Sequence, residues 1–168
     1  MIRDIHATLY SDSDGVICDF HKAATKILGR RFDHKIREAD GEQINQVHDF
    51  WETLPLMPDF HAYWKVISKY HPHILTAVPS APWKIKWGEV ERGKREWYRK
   101  HLPEIPQLHI HVVERNQKQE YAKSGSTRNI LIDDHLDNIQ EWVAAGGHGI
   151  HHVSAKATII QLKELGYF

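Results

Sequence analysis

Five short apolar runs, at 5–11, 74–78, 109–113, 129–132 and 150–153, recur along this chain with helical stretches between them. Runs of this length, rich in Ile, Val and Leu, are the mark of strands covered on both faces. Strands alternating with helices specify a parallel sheet flanked by helices. The helical stretches lie at 20–28, 41–51, 59–70, 82–101, 137–145 and 155–165. The stretch at 137–145 sets Ile139, Trp142 and Val143 on one face and stops at Gly146-Gly147, and 155–165 buries Ile159, Ile160, Leu162 and Leu165 before Gly166. Over 82–101, Trp83, Trp87, Val90, Lys94, Trp97 and His101 form one helical stripe. Gly88 and Gly93 weaken that helix and leave a break within it open.

The first two strands are separated by far more chain than one crossover helix requires. The segment 20–70, with its Leu54-Pro55-Leu56-Met57-Pro58 turn, therefore reads as a small helical insert after the first strand. The core is then 1–19 and 71–168. A length of 168 residues suits this organisation, and no repeat or low-complexity tract interrupts it.

Composition removes several classes of function. One cysteine, Cys18, cannot form a disulfide within the chain and fits a reducing compartment. No apolar run approaches the ~20 residues of a membrane span, and Asp4 interrupts the stretch that a signal peptide would need. A soluble, cytoplasmic protein without a membrane partner is expected. Basic and acidic residues balance at 22 each, which argues against duplex nucleic acid as a partner. The balance is uneven, however: residues 83–128 carry eleven basic and six acidic side chains, and 129–168 carry two and five. Cations in the middle and carboxylates at the flanks suit a small anion held beside a metal, although solvated helix faces give the same counts.

In open parallel sheets, ligands bind beyond the carboxyl ends of the strands. The first strand ends in Asp12-Ser13-Asp14-Gly15, the second carries Thr76 and the fourth ends in Asp133-Asp134. Four carboxylates at one rim repel unless a cation joins them, and Mg²⁺ suits a site of carboxylates, waters and a phosphate. Cysteine or paired histidines at zinc-ligand spacing are missing. Asp12 and Asp14, one residue apart at a glycine turn, can divide the labour of phosphoryl transfer. One attacks phosphorus as a nucleophile, and the other serves as acid and base for the leaving oxygen and the water. Lysines from the basic segment would balance the phosphoryl charge.

Tyr10-Ser11-Asp12-Ser13-Asp14-Gly15-Val16 resembles the first motif of the haloacid dehalogenase (HAD) superfamily, Ile74-Leu75-Thr76 the second, and Ile130-Leu131-Ile132-Asp133-Asp134 the fourth. Within it the chain looks most similar to the 5'(3')-deoxyribonucleotidases. The run DSDGVICDF from Asp12 to Phe20 matches D-x-D-G-V-x-x-D-F, and Asp49–Pro55 resembles the aromatic stretch of the family's cap. Lys94–Leu102 resembles its K-x-x-W helix, and Arg115–Lys118 its R-x-K segment with one residue inserted. The resemblance implies a three-layer, Rossmann-like α/β parallel sheet with a small helical cap. The implied activity is a Mg²⁺-dependent phosphomonoesterase acting on nucleoside monophosphates through an aspartyl-phosphate.

Carried across by position, the resemblance makes Asp12 nucleophile and metal ligand, and Asp14 acid/base with its carbonyl on the metal. Asp133 and Asp134 complete the metal site, with the direct ligand of the two left open. Thr76 and Lys94 hold phosphate oxygens, and Lys118 stabilises the phosphoryl charge. Phe20 packs on base or sugar, with Phe50 or Trp51 beside it. The chain departs from the family at Ala77, where the family has Ser, and the inserted residue makes Lys123 a competitor of Lys118. Lys118 is preferred because 119–122 reads as a short helix that could aim it.

Bland readings stand beside these. Asp and Gly are ordinary turn residues, Lys94 could snorkel along a Trp-lined stripe, and Phe50 and Trp51 fit core packing. Trp83, Trp87 and Trp97 read as core or as the interface of a homodimer. The fourteen histidines read mostly as surface or structural. Two other functions remain open: a phosphatase of nucleic-acid ends or other small phosphate esters, and a catalytically silent nucleotide-binding protein.

Overall fold

A computed structural model of the chain describes residues 7–32, 37–79 and 86–167. In chain order the strands are β1 (Leu9–Ser11), β2 (His73–Ala77), β3 (Ile110–Val113), β4 (Lys123–Ser124), β5 (Thr127–Arg128), β6 (Ile130–Asp133) and β7 (His148–His151). The helices are α1 (Phe20–Leu28), α2 (Glu38–Asn45), α3 (Phe60–Ile67), α4 (Trp87–His101), α5 (Leu136–Ala144) and α6 (Ala155–Glu164). Five strands make one parallel sheet in the order β3-β2-β1-β6-β7, and β4 and β5 form a separate antiparallel hairpin. The chain builds outward from β1 through β2 to β3, then returns to the other side of β1 with β6. The strand order therefore reverses between β1 and β6, where a crevice opens at the carboxyl ends.

Alternation along the strands divides the core into two layers, because successive side chains point to opposite faces. Leu9, Ile74, Ile110, Ile130, Ile132 and Ile150 join a cluster with Tyr63 and Ile67 of α3, Val90 and Trp97 of α4 and Leu162 of α6. Tyr10, Leu75, Val113 and Leu131 face the other way, onto Ile139 and Trp142 of α5. Each such side chain, fully buried, contributes about 1.5–3 kcal/mol of transfer free energy. This is the expected three-layer α/β arrangement.

Several local expectations change. Ile5, His6 and Trp83 lie outside the described residues, as does the chain from 80 to 85. From Trp87 onward α4 runs unbroken through Gly88 and Gly93. At Gly93 an added Cβ would come within 2.6 Å of Trp51 Cβ, so the glycine serves close packing of the 3-10 turn Phe50–Glu52 on α4. The last strand ends at His151, before Val153, which is 68% exposed. Val143 and Ile160, expected on buried faces, are about half exposed. Within the segment 20–70, α1 packs on α2, and α3 packs on α6 in the layer beside the sheet. There Tyr63 hydrogen-bonds Ser11 of β1 through their hydroxyls at 2.8 Å. Among the described residues no helix is long and apolar enough to cross a membrane.

Candidate active site

The turn after β1 is built to present two aspartates. Asp12 N–H still donates to Ile132 O of β6 at 2.8 Å, which fixes Asp12 against the neighbouring strand. The chain then winds tightly, with Val16, Ile17 and Cys18 N–H all donating to the Ser13 carbonyl and Gly15 N–H donating to Cys18 O. Gly15 has φ of +81°, a region that disfavours side chains, and a Cβ there would lie 2.2 Å from Asp134 Oδ2. Glycine is thus needed both for the turn and for the approach of the second carboxylate pair.

Asp12, Asp133 and Asp134 each bring a carboxylate oxygen to within 4.8 Å of the others. Lys118 enters from the 3-10 turn Arg115–Tyr121. Its Nζ lies 2.9 Å from Asp12 Oδ1 and donates to Asp133 Oδ2 at 2.7 Å. Asp133 is saturated: its oxygens also accept from His135 N–H and from the Asn138 amide. Among the described residues, Asp134 Oδ1 is buried with no hydrogen-bond partner, and Asp12 Oδ1 has only its ion pair.

The electrostatics follow from three carboxylates sharing one ammonium. Burial raises Asp12 to about 7, with Lys118 opposing and Asp133 and Asp14 adding to the rise. Burial and then the charges of Asp12 and Asp133 push Asp134 to about 8. Burial also works against the Lys118 ammonium, but the Asp12 and Asp133 charges hold it above the ordinary lysine value. Asp133, although buried, is pulled below the usual carboxylate range by Lys118 and its hydrogen bonds. Orphaned, charge-poor oxygens on buried carboxylates are what a hard divalent cation satisfies. An all-oxygen set fits Mg²⁺, with Asp134 rather than Asp133 holding the oxygen still available.

Beside these groups lies a cavity of about 210 Å³. Of the residues singled out from the sequence, Asp12, Asp14, Phe20, Lys118 and Asp134 line it. Thr76, Lys94, Phe50, Trp51 and Asp133 do not. Thr76 is fully buried, and its hydroxyl accepts from Lys94 Nζ at 2.9 Å. Lys94, 2% exposed, sits behind Asp14 and donates to its Oδ2 at 2.6 Å. Burial works against this ammonium too, yet Asp14 keeps its pKa raised. Phe50 and Trp51 are buried beneath Phe20, which stacks on Trp51 at 5.7 Å and meets Phe50 edge-on, so both are packing for the cavity wall. Lys123 is exposed on β4, before the amino end of β6, and its stem packs against Gly146. That places it away from Asp133 at the strand's carboxyl end.

Other residues complete the site. His21 and Phe32 line the cavity with Phe20, and Ala77, Val78, Arg115, His135 and Asn138 line other parts of its wall. Asn138 is in the first turn of α5, five residues after Asp133, and a polar residue at that position of a helix following an acidic strand end is a legible signal. Nothing in the sequence distinguishes Phe32. Cys18, fully buried, donates its S–H to Asp14 Oδ1 at 3.1 Å. Burial and the Asp14 charge push this thiol well up, so it remains a donor.

Fold and site together define a doubly wound α/β protein with a carboxylate-lined crevice at its strand-order reversal. No protein-family model matches the chain, and no curated protein does. Among solved structures, a hydrolase from Streptococcus pneumoniae TIGR4 is similar over 96% of this chain and 98% of its own, at 13% identity and a TM-score of 0.48. A HAD hydrolase of family IA, variant 3, from Entamoeba histolytica HM-1:IMSS is similar over 94% of this chain and 88% of its own, at 14% identity and a TM-score of 0.49.

Proposed function

We propose that this protein is a Mg²⁺-dependent phosphomonoesterase that hydrolyses nucleoside monophosphates through an aspartyl-phosphate on Asp12. The observation that carries the reading is the meeting of Asp12, Asp14, Asp134 and Lys118 on the wall of one cavity whose other side is aromatic. Asp134, Asp12 and the carbonyl of Asp14 would hold the metal, with Asp133 beside them. The bound metal would supply positive charge to the phosphoryl oxygens and lower the pKa of the neighbouring carboxylates.

A carboxylate oxygen of Asp12 attacks phosphorus as the bond from phosphorus to the ester oxygen breaks. Asp14, having taken up a proton from solvent beforehand, gives it to that departing oxygen, releasing the alcohol. Water then attacks the phosphorus of the aspartyl-phosphate, Asp14 takes a proton from it, and the phosphorus–Asp12 oxygen bond breaks to release inorganic phosphate. Lys118, already between Asp12 and Asp133, turns its charge to the phosphoryl oxygens as they gain it. Phe20, with Phe32 and His21, supplies flat apolar surface for a base or sugar.

The test is phosphate release from a panel of 5'- and 3'-monophosphates, with and without Mg²⁺, beside an Asp12→Asn variant. Metal-dependent release that the variant abolishes is expected. Release from phosphorylated oligonucleotide ends in preference to mononucleotides would move the substrate to nucleic-acid termini. Nucleotide binding without release would support a silent binding protein.

A further inference from the structure

Asp14 is gripped from behind at both of its oxygens. Lys94 Nζ donates to Oδ2 at 2.6 Å, and the Cys18 thiol donates to Oδ1 at 3.1 Å. Both partners are buried, Lys94 at 2% and Cys18 at 1% exposure, and neither lines the cavity that Asp14 faces. Each is in turn fixed. Lys94 also donates to Thr76 Oγ1 and lies 5.2 Å from the Trp51 ring centre. Cys18 belongs to the same turn as Asp14, donates its N–H to Ser13 O, and bridges to Leu56. A carboxylate held at one oxygen still pivots about its Cβ–Cγ bond. Held at both, its plane is set.

We propose that Cys18 and Lys94 form a two-point clamp that orients the Asp14 carboxylate, making both of them positioning residues and Lys94 no phosphate ligand. The clamp rests on the phosphatase reading only for the role of Asp14; its geometry stands apart from that reading. Orientation matters because proton transfer to a departing oxygen requires hydrogen-bond reach and alignment, and small misplacements of a catalytic group lower rate steeply. The competing account of Cys18 is ordinary packing, since a buried free cysteine commonly acts as a small apolar side chain. The two accounts order the variants differently. For a packing residue, Cys18→Ala is milder than Cys18→Ser, which buries a hydroxyl. For a clamp, Ser keeps a donor to Asp14 and Ala does not.

The first measurement is the S–H stretching band of the intact protein, which is assignable because the chain holds one cysteine. The band is expected at lower frequency in the wild type than in Asp14→Ala, with Asp14→Asn as a second variant of nearly unchanged shape. A band that moves in neither variant overturns the Cys18 half of the clamp, whatever the protein's activity. Steady-state kinetics on nucleoside monophosphates then measure its consequence. Cys18→Ala is expected to lose kcat about five- to tenfold with KM nearly unchanged, the cost of one hydrogen bond from a weak thiol donor, and Cys18→Ser to recover most of it. Lys94→Met is expected to lower kcat while leaving inhibition by inorganic phosphate within about twofold of wild type, as removal of a group that does not touch the anion requires. Ser no better than Ala overturns the Cys18 half, and phosphate inhibition that weakens tenfold in Lys94→Met overturns the Lys94 half. Wild-type protein that turns over no phosphate ester counts against the phosphatase reading, while the infrared band still decides the geometry.

Discussion

Replacing Asp134 with Asn tests the electrostatic reading of the site most directly. In the metal-free protein burial and three neighbouring carboxylates, Asp12, Asp133 and Asp14, raise Asp134 from its ordinary 3.8 to about 8. At about 1.4 kcal/mol per unit over the interval from 3.8 to about 7.5, the raised pKa lowers stability by roughly 5 kcal/mol near pH 7.5. The sign is fixed by proton counts. Between pH 4 and 8 the folded state holds a proton that the unfolded state releases, so metal-free stability falls as pH rises through this window. Asp12, raised to about 7, acts in the same direction. Asn keeps the shape and removes the charge. If about half of the cost stays with the buried amide, Asp134→Asn stabilises the chelated protein by about 2–3 kcal/mol. For a chain of this size that raises Tm by about 5–10 °C. The assay is thermal melting at pH 5 to 8 in chelator and again in Mg²⁺. Wild type should fall further below the variant as pH rises in chelator and gain stability on adding Mg²⁺, by mass action; the variant should melt higher in chelator and gain little from the metal. A variant that melts below wild type in chelator, or a gap between variant and wild-type Tm that stays constant from pH 5 to 8, refutes the account; the gap isolates Asp134 because the histidines titrate alike in both proteins.

Lys118→Met should lower kcat by about 10²–10³-fold, as loss of a charge preorganised at the phosphoryl group does, while Lys123→Met on the exposed hairpin should leave turnover unchanged; phosphate-release kinetics compare the two. Gly15→Ala places a side chain at φ +81° and against Asp134, so denaturant unfolding should show a loss of about 2–4 kcal/mol. His73 stacks on His109 and His111, and burial with those two rings pushes it down to about 4. The unfolded state takes up a proton below pH 6.5 that the folded state refuses until about 4, so stability falls as pH drops through that window, and His73→Gln should flatten the slope in denaturant titrations. Phe20→Ala should raise KM for nucleotides more than for small phosphate esters, because its ring lines the cavity and carries no group for the chemistry.

The strands and most helices were legible because their signals are local: period and length mark a buried strand or an amphipathic helix whatever its neighbours. The same holds for the acidic strand ends, since a parallel sheet sends every such end to one rim. The hairpin β4–β5 was not legible, as arms of two residues carry no period. Nor was the continuity of α4, because Gly93 answers to the Trp51 side chain, 42 residues earlier, rather than to helix propensity.

The amino-acid sequence by itself determined the layered α/β fold, the carboxylates at the crevice and the lysine segment that reaches them, all consequences of local pattern and strand direction. Which oxygen each carboxylate has to spare was decided only by tertiary structure. Lys118, His135 and Asn138 saturate Asp133 and leave Asp134 open. Likewise Lys94 turns to Asp14 and Thr76, while Phe50 and Trp51 lie under Phe20 rather than in the cavity. Residue type sets what a side chain can donate or accept. Which partner it meets depends on distances between elements remote in sequence, and those exist only once the chain has packed.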